Sequence, residues 1–184
     1  KGVHIAVIPR HGGTTEDVKW VEMPICFTFH FMNAFDKDGV ITVDGCQFKA
    51  APLFPTPDGE NTGKVAPFLN RWTIDMNAET PVGSFEQIDE FESEFPQVDP
   101  RHVGREYRHG WYASPDGQLK SPLSENENFY NVIGHYDHET KKADRYSCGQ
   151  SLVSEPIFVP KSDTAAEGEG YVMAVATSFE TRTS

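Results

Sequence analysis

At 184 residues the chain is long enough to bury a core as one domain, and 28 acidic against 16 basic side chains leave it with a net charge of −12. That balance excludes a nucleic-acid backbone as partner, since no basic stripe exists to collect phosphates, and it excludes adhesion to an anionic membrane by charge. An apolar or aromatic small molecule remains as a ligand class.

The stretch Val3 to Pro9, closed by Pro9-Arg10-His11-Gly12-Gly13, and the segment Val18 to Met23 around Trp20 read as a hairpin with a long loop. Phe27, Phe29 and Phe31 alternate, so one strand face is expected to hold them and the other Thr28, His30 and Met32. Asp36-Lys37-Asp38-Gly39 turns the chain into a returning strand, Val40 to Asp44, and Ala50 to Ala66 is a Pro- and Gly-rich excursion. Leu69 to Asp75, the turn Asn77 to Thr80 and the return Val82 to Ile88 share a grammar with Tyr130 to Asp137, Glu139 to Lys142 and Ala143 to Ser147. In both, a strand ends in Asp and passes through a polar turn holding Thr, whose side chains bond nearby backbone N–H groups. Between these units, Glu92 to Trp111 reads as a long polar loop. Pro156 to Pro160 is a short strand, Lys161 to Gly170 a charged turn and Tyr171 to Thr177 a further strand.

No stretch shows a capped helical stripe, and the reading is all-β: a propeller or a sandwich. No apolar run reaches the roughly 18 residues a spanning helix needs. The three cysteines, Cys26, Cys46 and Cys148, are an odd set without CxxC spacing, which favours reduced thiols over a Cys26–Cys46 disulfide. With no signal peptide at the start, the expected location is the cytoplasm. Apolar alternation is already under way by Val3, and Ala176 to Glu180 reads as an interrupted strand, so both ends are expected to continue into a longer protein.

His30 stands in the aromatic run Phe27 to Phe35. A strand gives it a rigid mount, and both a hydrogen-bonded core role and a metal-ligand role fit; spacing by itself favours the core role. His102, His109, His135 and His138 form no HExxH or paired array. Glu94 and Glu155 are carboxylates beside apolar residues where the chain changes direction. Each needs a partner if buried, and three readings stay open: a turn-stabilising acceptor, a partner for Arg101, Arg105 or Arg108, or an acceptor behind a metal-binding histidine. The acidic run Glu86 to Glu94 is most simply a solvated face. No phosphate-cradling glycine loop or GxSxG elbow is present.

An ordered set of motifs then resembles the carotenoid cleavage oxygenases, including the lignostilbene dioxygenases. It comprises Val7-Ile8-Pro9-Arg10, Phe29-His30-Phe31-Met32-Asn33-Ala34-Phe35, Arg71-Trp72-Thr73-Ile74-Asp75, Glu94-Phe95-Pro96-Gln97-Val98-Asp99-Pro100-Arg101, Gly104-Arg105, Tyr136-Asp137 and Ser154-Glu155-Pro156-Ile157-Phe158-Val159-Pro160. The resemblance implies a seven-bladed β-propeller, of which residues 1–184 would be a partial domain of roughly three blades, truncated at both ends. It implies a non-haem Fe(II) held by four histidines, with glutamates hydrogen-bonded to most of them. His30 maps onto the third ligand. Glu94 and Glu155 map onto second-sphere glutamates, which are expected to orient histidines outside this chain; Glu22 and Asp36 stay unassigned. The implied activity uses O2 to cleave a C=C bond of a carotenoid, apocarotenoid or stilbene into two carbonyl products. Peripheral membrane contact through an apolar patch belongs to the same expectation. The phenol-engaging tyrosine and lysine of stilbene cleavers are not placed, and Phe31 and Phe35 are expected near the cavity. The competing reading is a non-catalytic β-propeller or β-sandwich piece that binds partners through its loops.

Overall fold

The computed structural model describes residues 2–52, 59, 65–120, 122 and 129–181. Fourteen strands and two single-turn 3-10 helices make up its regular structure. Strands β1 (Val3–Val7) and β2 (Lys19–Met23) form the antiparallel hairpin that the sequence suggests. Strands β3 (Phe27–Lys37), β4 (Val40–Phe48), β5 (Phe68–Asp75) and β6 (Val82–Glu92) form a four-stranded antiparallel meander in chain order. A second meander follows, from β7 (Glu94–Val98), β8 (His109–Pro115), β9 (Tyr130–Asp137) and β10 (Lys142–Ser147). The remaining strands nest as two short ladders: β11 (Ser151–Val153) pairs with β14 (Ala176–Ser178), and β12 (Ile157–Pro160) with β13 (Gly170–Met173).

The polar segment Glu92 to Trp111 is not one long loop, as its composition suggests. It holds β7, a 3-10 turn at Pro100–His102 and the start of β8. The strands there escape a composition-based reading because β7 contains a proline and a glutamate, and its residues are held by neighbours on the adjoining sheet. Similarly, Tyr171 to Thr177 is split between β13 and β14, and β11 precedes the expected strand at Pro156. Most of the Pro- and Gly-rich excursion lies outside the described residues. Cys26, Cys46 and Cys148 are free thiols. Among the described residues no helix is long and apolar enough to cross a membrane.

The two meanders pack face to face. Met32 and Leu69 of the first meet Val98, Tyr107, Tyr112 and Tyr136 of the second in a shared buried cluster. Tyr112 reaches across and donates from its hydroxyl to Asp89 Oδ2 on β6 at 2.5 Å. On the other side of the first meander, Val21 and Met23 of β2 pack on Trp72 and Ile74 of β5. Beyond the second meander, Val153 of β11 packs on Ala113 and Tyr130. Each sheet is thus covered on both faces, as stacked blades require, and burial of these side chains is the main stabilising term. Gly134 is required by this packing, because a Cβ there would lie 2.1 Å from the Tyr112 ring.

Polar groups buried at the same interface form a connected network, in which Nε2 of His138 has no partner among the described residues. Asp44 on β4 is fully buried and accepts two hydrogen bonds from Arg71 on β5, both at 2.8 Å, and one from the Tyr107 hydroxyl at 2.5 Å. Arg71 also approaches Nδ1 of His138 at 2.9 Å. A guanidinium can only donate, so Nδ1 accepts and the neutral ring carries its proton on Nε2. The rings of Tyr107 and Tyr136 stand edge-on to His138, with centroids at 4.6 and 4.9 Å. Burial above all pushes the His138 pKa down to about 4; the Asp44 carboxylate opposes that fall and the Arg71 charge adds to it. Asn33 closes another part of the seam. Its amide donates to the carbonyls of His102 and Arg105 and accepts from the Gly104 N–H, so the 100–105 turn is pinned to β3.

Two outcomes follow from this seam. Removing the Asp44 carboxylate strands a partly buried guanidinium and a buried tyrosine hydroxyl, so Asp44→Ala should cost roughly 3–5 kcal/mol in a denaturant titration. Because the folded state resists protonating His138, its contribution to stability is complete above pH 6.5 and declines as the pH falls from 6.5 toward about 4. The total loss amounts to roughly 3 kcal/mol. Stability measured across that window should be flatter in His138→Gln than in the parent protein.

Candidate functional site

His30 on β3 and Glu94 on β7 come from different sheets and meet where the edge strands of the two adjoin. Their strands arrive there through irregularities that alternation could not have shown. On β3, Thr28 opposes Gln47 and Phe31 opposes Gly45, while Asn33 opposes Asp44. Each of those two steps gives β3 one residue more than β4, so His30 sits in a doubly bulged stretch. Bulges of this kind bend a strand and re-aim its side chains. As a result the expected strict division of faces fails: Met32 and Asn33 are consecutive yet both buried. Phe27 and Phe29 stay together, 4.7 Å apart edge-on, against Phe48. Phe31 packs on Trp72 and lines, with Val3, Ile5, Cys26, Phe27 and Val43, an apolar cavity of about 310 Å³. Phe35 instead stands edge-on to Tyr107 beside the core between the sheets.

A third bulge lies on β7. Glu94 opposes Ala113 and Gln97 opposes Trp111, which leaves Phe95 and Pro96 facing a single residue of β8. Phe95 has φ = +53°, the left-handed conformation that glycine usually supplies at such a bulge. Holding a phenylalanine there costs on the order of 1–3 kcal/mol. The turn points the Phe95 N–H at Glu94 Oε2, which accepts it at 2.7 Å.

The same oxygen lies 2.6 Å from Nδ1 of His30. Glu94 is only 3% exposed, whereas the His30 side chain is 43% exposed. Burial raises the Glu94 pKa, the Phe95 N–H and the His30 contact oppose that rise, and the nearby Glu155 charge adds to it. The second carboxylate oxygen, Oε1, is buried without a hydrogen-bond partner among the described residues. An ionised carboxylate only accepts, so His30 donates from Nδ1, and a neutral ring then carries its lone pair on Nε2. No described residue hydrogen-bonds that Nε2. This is the tautomer a metal-binding histidine needs, fixed by the carboxylate that such histidines commonly use.

Among the described residues the side-chain partner of Glu94 is His30, on this chain, whereas the expectation set Glu94 behind a histidine outside residues 1–184. Nor does it pair with an arginine. Arg101 binds Asp99, and Arg108 binds Asp137. Glu155, exposed between β11 and β12, accepts a hydrogen bond at 2.6 Å from Nε2 of Gln97, which is three residues after Glu94. His30 and Glu94 are thus in contact, and the Glu155 charge lies near enough to act on Glu94. The other histidines lie elsewhere. His109 Nδ1 and His135 Nε2 are 2.9 Å apart, His138 belongs to the Arg71 cluster, and His102 contacts the Glu106 carbonyl. Among the described residues, no group of three or more His, Cys, Asp or Glu side chains is arranged to hold a metal ion. Sequence reasoning missed Phe95 and Gln97. Nothing in the Glu-Phe-Pro-Gln run signals a left-handed phenylalanine or a glutamine aimed at a distant carboxylate.

With this geometry in hand, comparison with known proteins gives a consistent result. The family model described as retinal pigment epithelial membrane protein (RPE65) matches residues 1–184. Lignostilbene-alpha,beta-dioxygenase isozyme III of Sphingomonas paucimobilis is 38% identical over 190 aligned positions, covering 97% of this chain and 39% of the relative. The crystal structure of lignostilbene dioxygenase from Pseudomonas brassicacearum superposes with a TM-score of 0.85 at 33% identity, over 94% of this chain and 38% of that one. Cobalt-substituted apocarotenoid oxygenase of Synechocystis superposes with a TM-score of 0.80 at 27% identity, over 98% of this chain and 36% of that one. The chain thus spans well under half the length of these relatives. Its two meanders are blades of their seven-bladed propeller fold, with the ring left open over these residues. The chain belongs to the retinal pigment epithelial membrane protein family, the family of the carotenoid cleavage oxygenases.

Proposed function

We propose that residues 1–184 are part of a single propeller domain, and that His30 is one ligand of a non-haem Fe(II) centre completed by histidines outside this chain. The observation that carries this reading is the 2.6 Å contact between His30 Nδ1 and Glu94, which leaves Nε2 of a half-exposed ring without a partner among the described residues. The cobalt-substituted relative supports a metal site in this fold. The donor set fits Fe(II): an imidazole supplies the bond, and the buried carboxylate behind it fixes the tautomer and offsets part of the metal charge.

Bound there, Fe(II) supplies the redox chemistry that O2 requires to react with an alkene. What this chain contributes is placement. Glu94 holds the His30 ring, the Phe95 N–H holds Glu94, and Gln97 holds Glu155 ready for a second histidine from outside residues 1–184. The substrate class is an electron-rich alkene, a stilbene, carotenoid or apocarotenoid, cleaved into two carbonyl products. The lignostilbene relative, at 38% identity, favours the stilbene. O2 is the co-substrate and no nucleic acid takes part; the setting proposed is the cytoplasm, with any membrane contact peripheral.

The test is made on the full-length protein. Iron content should approach one ion per chain and be largely lost in His30→Ala, while Glu94→Gln should weaken iron affinity by about 10- to 100-fold. Oxygen-dependent carbonyl products should form from resveratrol or an apocarotenal. Unchanged iron in His30→Ala sinks the ligand assignment, and a protein without iron or products favours the non-catalytic binding module.

A further inference from the structure

Phe95 has a backbone conformation that its residue type does not explain. The described non-glycine residues with positive φ are Asp38, Phe95 and Lys141. Asp38 lies in the turn between β3 and β4, and Lys141 in the turn between β9 and β10, where such conformations are ordinary. Phe95 lies inside a strand. A glycine would make the same bulge without strain, so the turn does not account for the phenyl ring.

The ring lies between two sets of neighbours: it packs on the buried cluster of Ala113, Tyr130 and Val153, and its other contact is His30. Its centroid lies 5.1 Å from the His30 imidazole, with the planes tilted by 41°, and Tyr130 backs it edge-on at 5.6 Å. The same residue's N–H donates to the carboxylate oxygen that engages His30 Nδ1. One residue therefore acts on the imidazole twice. Its backbone orients the carboxylate at the ring's edge, and its side chain limits rotation of the ring about χ2.

We propose that Phe95 is a positioning residue for His30, the left-handed bulge and the phenyl ring together fixing the direction of the Nε2 lone pair. This rests on the reading of His30 as a metal ligand. The arrangement couples two requirements, since the bulge that turns the Glu94 carboxylate toward His30 is the same one that lays the phenyl ring against the imidazole.

The experiment uses the full-length protein with Phe95→Gly, which accepts the backbone conformation, and Phe95→Asn, which tolerates it with a small polar side chain. Two quantities are measured: Fe(II) affinity by chelator competition, and the His30 tautomer in the iron-free protein by 15N NMR of labelled histidine. Both variants should stay folded, bind Fe(II) about 10- to 100-fold more weakly, and show a mixed His30 tautomer where the parent shows the Nδ1–H form. Unchanged affinity and tautomer in either variant overturn the proposal. Loss of folding in both also overturns it, because Phe95 would then be a structural residue. His30→Ala separates the two readings. If it keeps its iron, the ligand assignment fails; if it loses iron while the Phe95 variants keep theirs, only the positioning role fails.

Discussion

Burial of the Glu94 carboxylate is the constraint around which the site is organised. A charge 3% exposed must be met by donors, and water supplies few at that depth. The donors come from the next residue's backbone and from a histidine on the neighbouring sheet. Neither would reach a carboxylate on a regular strand. The bulges in β3 and β7 solve this by rotating His30 and Glu94 toward each other across the seam between sheets.

The seam itself is built to keep that meeting in place. Next to the site it holds an apolar cluster of Met32, Leu69, Val98, Tyr107, Tyr112 and Tyr136, and the Asp44–Arg71–Tyr107–His138 network. In that network Asp44 accepts three hydrogen bonds and Arg71 is shared between two acceptors, while Nε2 of His138 is buried without a partner among the described residues. Such groups contribute little net stability over an apolar core of the same shape, yet they penalise any sliding of one sheet on the other, because sliding would leave charges unpaired. Asn33, only three residues from His30, applies the same constraint by pinning the 100–105 turn. The functional end is different in character. His30 is half exposed, one Glu94 oxygen is unmatched among the described residues, and Phe95 is held under backbone strain. Burial of the apolar cluster in the seam offsets the cost of that end.

Much of the fold was legible in the chain. Alternating apolar residues with Asp- and Thr-containing turns located β3, β4, β5, β6, β9 and β10, because a half-buried strand imposes a period of two on its own sequence. The segment after Glu92 was not legible. There β7 and β8 carry proline, glutamate and histidine, and their pairing depends on residues far away in the sequence. The motifs of the resemblance pointed to His30, Glu94 and Glu155 as a set, but they did not reveal that Glu94 serves His30 itself.

The residue types at the site, the all-β periodicity and the family were therefore determined by the sequence alone, because side-chain chemistry and strand alternation are local properties. Which nitrogen of His30 is tied down, which carboxylate ties it and which phenylalanine lies against the ring were decided only by the tertiary structure. Each of these depends on a bulge, which shifts facing by one residue without leaving a mark in composition, and on a neighbour 64 or 65 positions away.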